Sequence, residues 1–155
     1  MGDSVGHTYS KLLYHVVYST KERRPLIHAD WQENLYRYMS PIVAEMRGHL
    51  VRAGGVADHL HLLFRLPANT AVSKTVGVIK SNTSKWINDE FYPVNRGFAW
   101  QEGYGAFSVS ESNVPDVIGY IDRQAEHHHK RSFQDEFREL LRRHEIEFDE
   151  RYIWD

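Results

Sequence analysis

The chain has 155 residues, of which 41% are hydrophobic and 26% charged, and this composition predicts one globular domain with its own core rather than a disordered protein. A formal net charge of −2 argues against a protein that coats nucleic acid non-specifically, since such proteins carry a strong basic excess. Cysteine is absent, which excludes disulfides and thiolate metal ligands, and without a signal peptide or a membrane-length apolar run we expect a cytoplasmic protein with no membrane contact.

The first half of the chain predicts a strand, a helix and a hairpin. Residues 10–20 are rich in β-branched and aromatic side chains, with apolar residues at both odd and even positions, which is typical of a central strand. Asp30 can cap a helix that Pro41 should kink or split. The apolar positions of that helix are Leu35, Met39, Ile42 and Met46. Segments 49–56 and 59–66 then predict two paired strands.

The second half predicts a helix, a strand and further helices. An amphipathic helix follows from apolar spacing at Val72, Val76, Ile79, Thr83 and Trp86. Residues 98–112 predict a glycine-interrupted fourth strand, and Asn113 can cap a long helix over 114–131. We expect this helix to pack on the sheet through an apolar stripe formed by Val114, Val117, Ile121 and Ala125. Residues 133–144 predict a short terminal helix.

The order β-α-β-β-α-β followed by helices predicts an α+β fold. It is the order of the ferredoxin-like sandwich, shared by RNA-recognition domains, with a four- or five-stranded antiparallel sheet and two helices on one face. C-terminal helices would be added to that core. The other face of the sheet would be free for a substrate or for the last helix.

Two histidines lie inside the most apolar strand. Because strand side chains alternate between the two faces of a sheet, Leu60, Leu62 and Phe64 can face the packed helices. His59 and His61 then share the other face with Leu63 and Arg65, one pleat repeat apart, where they can bind a single ion. An isolated His-x-His pair is about as often a pair of structural histidines, so both interpretations stay open at this point.

The predicted long helix carries a second polar pair. Tyr120 and Gln124 are four residues apart and therefore lie on one helix face, and His127 continues that stripe. Taken alone, this spacing also fits an ordinary amphipathic helix with a surface tyrosine.

Four segments in order resemble the single-tyrosine HUH transposases, the small enzymes of the simplest bacterial insertion sequences, and their relatives associated with repetitive extragenic palindromes. The segments are "DHLHLL" (58–63), "WQEGYGAFSVS" (100–110), "YIDRQAEHH" (120–128) and "IEFDERYIW" (146–154). The resemblance runs from residue 9 almost to the end and implies one HUH endonuclease domain over residues 1–155. It also implies a DNA transposase that cuts and rejoins single-stranded DNA at hairpin or palindromic ends through a 5′-phosphotyrosine intermediate.

The resemblance also implies roles for individual residues. Tyr120 would be the nucleophile, and His59, His61 and Gln124 would hold a divalent metal, Mg²⁺ or Mn²⁺, although imidazoles alone would equally suit zinc. His127, His128 or His129 could act as a general base or contact phosphate when protonated. A phosphate-cradling loop motif is absent, so we expect no nucleotide cofactor.

We expect the partner to be single-stranded DNA, which such proteins bind with basic grooves and aromatic platforms. Candidate platforms are Phe98, Trp100 and Tyr104, whereas Trp86 should pack in the core. The candidate DNA-contacting residues are Lys21, Arg23, Arg24, Lys74, Lys80 and Lys85. Moving a DNA segment requires two cleavages, so a homodimer is expected, with Tyr120 working in cis or in trans, in the bacterial cytoplasm at the nucleoid.

Two other functions remain open on the sequence. One is a non-catalytic or domesticated nucleic-acid-binding protein on the same sandwich. The other is a metal-dependent phosphodiesterase that uses the His-x-His pair without a covalent intermediate.

Overall fold

The structure, a computed structural model, describes residues 3–5, 7–91, 97–128 and 130–155. A small hairpin of β1 (Asp3–Val5) and β2 (Thr8–Ser10) precedes the main sheet. The four main strands are β3 (Leu12–Ser19), β4 (His49–Val56), β5 (His59–Leu66) and β6 (Gly105–Val109). They pair antiparallel in the order β4-β5-β3-β6, with α1 (Ala29–Glu45) and α2 (Val72–Glu90) as the two crossovers. The α+β ferredoxin-like prediction is confirmed, with four strands in the main sheet.

One face of the sheet packs against α1 and α2. Leu60, Leu62 and Phe64 are fully buried there, in a core that includes Leu35 of α1 and Ile79 of α2. Each such side chain contributes about 1.5–3 kcal/mol when it leaves water. The assignment of these alternate β5 residues to the helix-packed face is therefore confirmed.

The opposite face is covered by the C-terminal helices α3 (Val114–Asp122), α4 (Gln124–His127) and α5 (Phe133–Arg143). Ile121 of α3 packs with Leu63, and Phe133 and Phe137 of α5 pack with Phe107 of β6. The Ser132 hydroxyl caps α5 by accepting from the Asp135 N–H. This face is therefore closed over His59 and His61, and side chains from three further elements reach them.

The structure corrects two details of α1. The helix runs unbroken through Pro41, so the predicted split is wrong. Pro41 is exposed, and the Arg37 carbonyl that loses its helical donor can bond to water instead. Asp30 lies within the first turn, while His28 occupies the N-cap position and makes no side-chain capping bond.

The predicted fourth strand over 98–112 is shorter than expected. Regular pairing is confined to β6, and Trp100 forms only an isolated bridge with Thr20. The carbonyls of residues 101–103 accept hydrogen bonds from Lys80 Nζ instead of forming a ladder. Phe98 and Trp100 are buried in the core, so their predicted role as base-stacking platforms is wrong, and Tyr104 packs partly buried against the same core.

The helix predicted over 114–131 is interrupted at Arg123, between α3 and α4. The side-chain amide of Gln124 donates to the Tyr120 carbonyl, the group that the Gln124 backbone N–H would bond in a continuous helix. Asn113 precedes α3 but makes no side-chain capping bond, and Ala125 is exposed rather than part of the apolar stripe. Of the helices in the described ranges, none is both long and apolar enough to span a bilayer.

Candidate metal and tyrosine site

The two histidines of β5 are fully buried on the face that the C-terminal helices cover. The helix break aims Gln124 at them: its Oε1 lies 3.2 Å from His59 Nε2, and the residue is 1% exposed. The structure therefore brings together His59, His61 and Gln124, the three residues for which the family resemblance implied metal binding. It also adds a fourth group at their centre.

That fourth group is the carboxylate of Glu136, on α5. Its Oε1 lies 2.9 Å from His61 Nε2, 3.3 Å from His59 Nε2 and 3.2 Å from His128 Nε2. Sequence analysis missed this residue, because it lies in a segment rich in charged side chains and does not stand out among them. The available signal was its position three residues after Phe133 and one before Phe137, which places a carboxylate on the apolar face of an amphipathic helix.

Tyr120 joins the same carboxylate from α3. Its hydroxyl donates to Glu136 Oε2, an oxygen that also accepts from the Gln124 side-chain amide at 3.3 Å. The Tyr120 ring stands edge-on to His61, with centroids 5.6 Å apart. The tyrosine, the histidine pair and the amide therefore form one cluster within one chain.

Two outer partners orient the imidazole rings. Asp58 Oδ1 lies 2.7 Å from His59 Nδ1, and His15 Nε2 of β3 lies 2.8 Å from His61 Nδ1. With both Nδ1 atoms engaged on the outside, both Nε2 atoms point at Glu136. Such outer hydrogen bonds fix the tautomer and direction of histidines that bind metals.

The spacing of these ligand atoms fits a divalent cation. An octahedral shell with bonds of about 2.1 Å places neighbouring ligand atoms about 3 Å apart, and the contacts around Glu136 Oε1 and His59 Nε2 run from 2.9 to 3.3 Å. His59, His128 and Glu136 alone form a group that could hold an ion. His128 Nε2 is buried 3.2 Å from Glu136 Oε1 and, among the described residues, forms no hydrogen bond of good geometry.

The carboxylate shifts the pKa values of its neighbours. Burial alone would lower the pKa of His59, but hydrogen bonds with Asp58 and Glu136 outweigh it and raise that pKa to about 9. Burial dominates at His61 and lowers its pKa. Although burial opposes it, the three imidazoles hold the pKa of Glu136 well below its usual range. Burial and the adjacent Glu136 charge raise the pKa of Tyr120, which keeps the phenol protonated.

Three further histidines, His127, His128 and His129, were candidates for supporting roles. The His127 ring lies 4.8 Å from the Tyr120 ring, and its Nε2 is buried without a hydrogen-bond partner in the described part of the chain. His128 belongs to the Glu136 cluster, and His129 lies outside the described residues. Both described histidines are thus close to the site.

The predicted DNA-contacting cations are dispersed. Lys80 directs its ammonium at the three carbonyls of residues 101–103, so its predicted DNA contact is wrong. Lys85 pairs with Asp89 at 2.6 Å, and both Lys85 and Lys74 lie on α2, across the sheet from His59. After β3, Arg24 pairs with Glu22, Arg23 lies over the Trp154 ring, and Lys21 is exposed.

Comparison with known proteins gives the family. The family model described as "Transposase IS200 like" matches residues 8–124. The transposases of insertion sequence element IS200 from Salmonella typhimurium and from Salmonella typhi are each 28% identical to this chain over 133 residues, covering 81% of it and 86% of the relative. The chain belongs to the IS200-like transposase family.

Two solved structures share the fold. One is a crystal structure of a protein assigned as a transposase from Deinococcus radiodurans R1, with a TM-score of 0.62 and 24% identity, covering 80% of this chain and 98% of that one. The other is a REP-associated tyrosine transposase bound to a REP hairpin, with a TM-score of 0.60 and 13% identity, covering 81% and 74%. The family makes this protein a single-stranded DNA transposase and hence a DNA-cleaving enzyme, and it disfavours both the non-catalytic and the phosphodiesterase alternatives.

Proposed function

We propose that this protein, as one HUH endonuclease domain over residues 1–155, cuts and rejoins single-stranded DNA through a 5′-phosphotyrosine on Tyr120. The observation that carries the proposal is that Tyr120 and the His59–His61 pair meet on one buried carboxylate, Glu136. In the cut, a bond forms between the phenolic oxygen and phosphorus, the bond from phosphorus to the 3′ oxygen breaks, and the proton that the phenol loses is balanced by the proton that the leaving oxygen gains as a 3′-OH. The new phosphotyrosine ester conserves the energy of the broken phosphodiester bond. A 3′-OH released from another strand can therefore attack this ester and displace Tyr120 without ATP.

We assign Mg²⁺ or Mn²⁺ to the cluster, held by His59, His61 and Gln124, with Glu136 as an added oxygen donor. The mixed nitrogen and oxygen donors and their spacing support this assignment. When bound, such a cation would withdraw charge from the scissile phosphate and favour the phenolate. Glu136 orients the Tyr120 hydroxyl, while Asp58 and His15 hold the two imidazoles in place.

We propose hairpin or palindromic single-stranded ends as the substrate. The structural relative bound to a REP hairpin supports this choice. A homodimer would supply the two tyrosines that two cleavages need. The contact between Tyr120 and Glu136 within one chain favours a cis arrangement. We expect an enzyme with this substrate to act in the cytoplasm, at the nucleoid.

The proposal is tested by covalent trapping with Mn²⁺ and single-stranded oligonucleotides that carry hairpins. A 3′-labelled strand should shift to a protein-bound band on a denaturing gel, while a 5′-labelled strand should only shorten, because the protein retains the 5′ phosphate. Tyr120→Phe should abolish the band, and Tyr9→Phe, at a tyrosine that is 87% exposed, should not. An adduct that survives in Tyr120→Phe, or no adduct of the wild-type protein with any hairpin strand, would overturn the proposal.

A further inference from the structure

A cavity of about 560 Å³ opens beside Tyr120, between β6, α3 and α5. Its volume lies within the range of about 300–1,000 Å³ of pockets that bind small ligands, a class that includes a single nucleotide. The lining residues that matter for the argument are His15, Phe107, Tyr120, Arg123, Arg143 and His144. A group bound in this cavity would therefore lie next to the phenol that we propose as the nucleophile.

Arg123 places an unpaired cation at this cavity. Within the described residues its guanidinium has neither an ion pair nor a side-chain hydrogen bond, whereas Arg143 is paired with Glu139 at 2.9 Å. The Arg123 Nη1 atom lies 2.9 Å from where a Cβ on Gly119 would be, so the guanidinium lies directly against the backbone of that glycine. The described lining residues include two arginines and one acidic side chain, Asp116, so the lining itself carries a positive excess. Arginine is the residue best suited to bind phosphate oxygens.

His144 supplies a flat ring at the same cavity. One face of the imidazole stacks on Phe107, with centroids 4.3 Å apart and planes at 27°. Its Nδ1 donates to the Leu140 carbonyl at 2.8 Å, which fixes the ring, and the residue is otherwise exposed. A fixed aromatic ring with a free face is the platform on which proteins stack unpaired bases.

We propose that this cavity binds the nucleotide adjoining the scissile phosphate, with its base on His144 and its backbone phosphate on Arg123 and Arg143. The inference rests on the proposed function, since it takes Tyr120 as the group that attacks the DNA. It adds a site that orients the strand at the reacting phosphate, separate from the histidine and Glu136 cluster.

Binding by an uncleaving protein tests the phosphate contact. In a Tyr120→Phe background, fluorescence anisotropy with a strand that the wild-type protein cleaves should show about tenfold weaker binding for Arg123→Gln, with a salt slope about one unit smaller. Arg142→Gln is the matched control, because its guanidinium lies over Phe148, outside the cavity, and should change affinity less than twofold.

An abasic scan tests the base contact. Each nucleotide near the cleaved phosphate is replaced in turn by an abasic residue. At one position next to that phosphate, the replacement should weaken binding to the Tyr120→Phe protein. The same replacement should not weaken binding to the protein that carries both Tyr120→Phe and His144→Ala. The inference would be overturned if Arg123→Gln and Arg142→Gln lost equal DNA affinity. It would also be overturned if the affinity lost at abasic positions were the same with and without His144→Ala. In either case, covalent trapping on Tyr120 would still support the proposed function. Failure of the wild-type protein to form any adduct would overturn both.

Discussion

The Tyr120 hydroxyl donates a hydrogen bond to Oε2 of Glu136, whose other oxygen lies 2.9 Å from His61 Nε2. The proposed nucleophile and the histidine pair are thus joined by a side chain from α5, the last regular helix of the chain. The family match ends at residue 124, so this connection comes from a part of the chain beyond the matched segment. The C-terminal helix therefore completes the site as well as covering the sheet.

Glu136→Gln should weaken Mn²⁺ binding by about tenfold or more, because a neutral amide replaces the one buried carboxylate of the cluster. The effect is measured by calorimetric titration and by the metal-induced rise in melting temperature, neither of which depends on DNA cleavage. Glu139→Gln, on the outer face of the same helix, should bind Mn²⁺ as the wild-type protein does. Equal affinities of the two variants would show that Glu136 is not a ligand.

Metal affinity should rise with pH. Although burial opposes the shift, hydrogen bonds with Asp58 and Glu136 raise the pKa of His59 to about 9, and a metal ligand must be neutral, so below that pH a binding metal has to displace a proton. Apparent Mn²⁺ affinity should therefore increase by up to about tenfold per pH unit between pH 6.5 and 8.5. Asp58→Asn removes a hydrogen bond that raises this pKa, and should flatten the dependence. A wild-type affinity that does not change over this range would contradict the prediction.

Much of the site followed from local periodicity. Alternation along β5 places Leu60 on one face and His59 and His61 on the other, and the strand bounds follow from the run of β-formers. Helical spacing predicted that Tyr120 and Gln124 lie close together on one helix face. The Gln124 side-chain amide does bond to the Tyr120 carbonyl, although the helix breaks between the two residues. These inferences succeeded because each depends only on neighbours within one element.

Contacts between distant elements could not be predicted in this way. The face of α5 that carries Glu136 follows from its apolar spacing, but nothing local says that this face meets β5 some 75 positions earlier. The predicted DNA contact of Lys80 was wrong for the same reason. On α2 it has the spacing of a surface lysine, but the carbonyls that accept its hydrogen bonds, at residues 101–103, belong to a loop distant in sequence. Phe98 and Trp100 lie near that loop, and tertiary packing buries both.

Lys80→Met should destabilise the protein by about 2 kcal/mol, because a charged donor is removed from three backbone carbonyls. Urea unfolding followed by circular dichroism measures the change. The matched control is Lys74→Met, at an exposed lysine on the same helix, which should stay within about 0.5 kcal/mol of wild type. If both substitutions cost the same, the carbonyl contacts of Lys80 contribute nothing to stability.

Gly54→Ala should destabilise the protein by about 1–3 kcal/mol through overpacking. Gly54 pairs with His61 across the hairpin, and a Cβ there would lie 2.8 Å from both the side chain and the backbone carbonyl of Ile121. Since Ile121 follows Tyr120 on α3, relief of the clash must shift the helix that carries the tyrosine. The yield of covalent DNA adduct should therefore fall even at temperatures where the variant stays folded.

Gly77→Ala is the matched control for that experiment. Gly77 lies within α2 with open space around its Cα, so alanine should stabilise the helix by about 0.5–1 kcal/mol and leave the adduct yield unchanged. The two substitutions add the same methyl group, so their opposite signs in urea unfolding would isolate the contact between β4 and α3. A Gly54→Ala protein as stable and as active as wild type would show that the position of α3 does not depend on this contact.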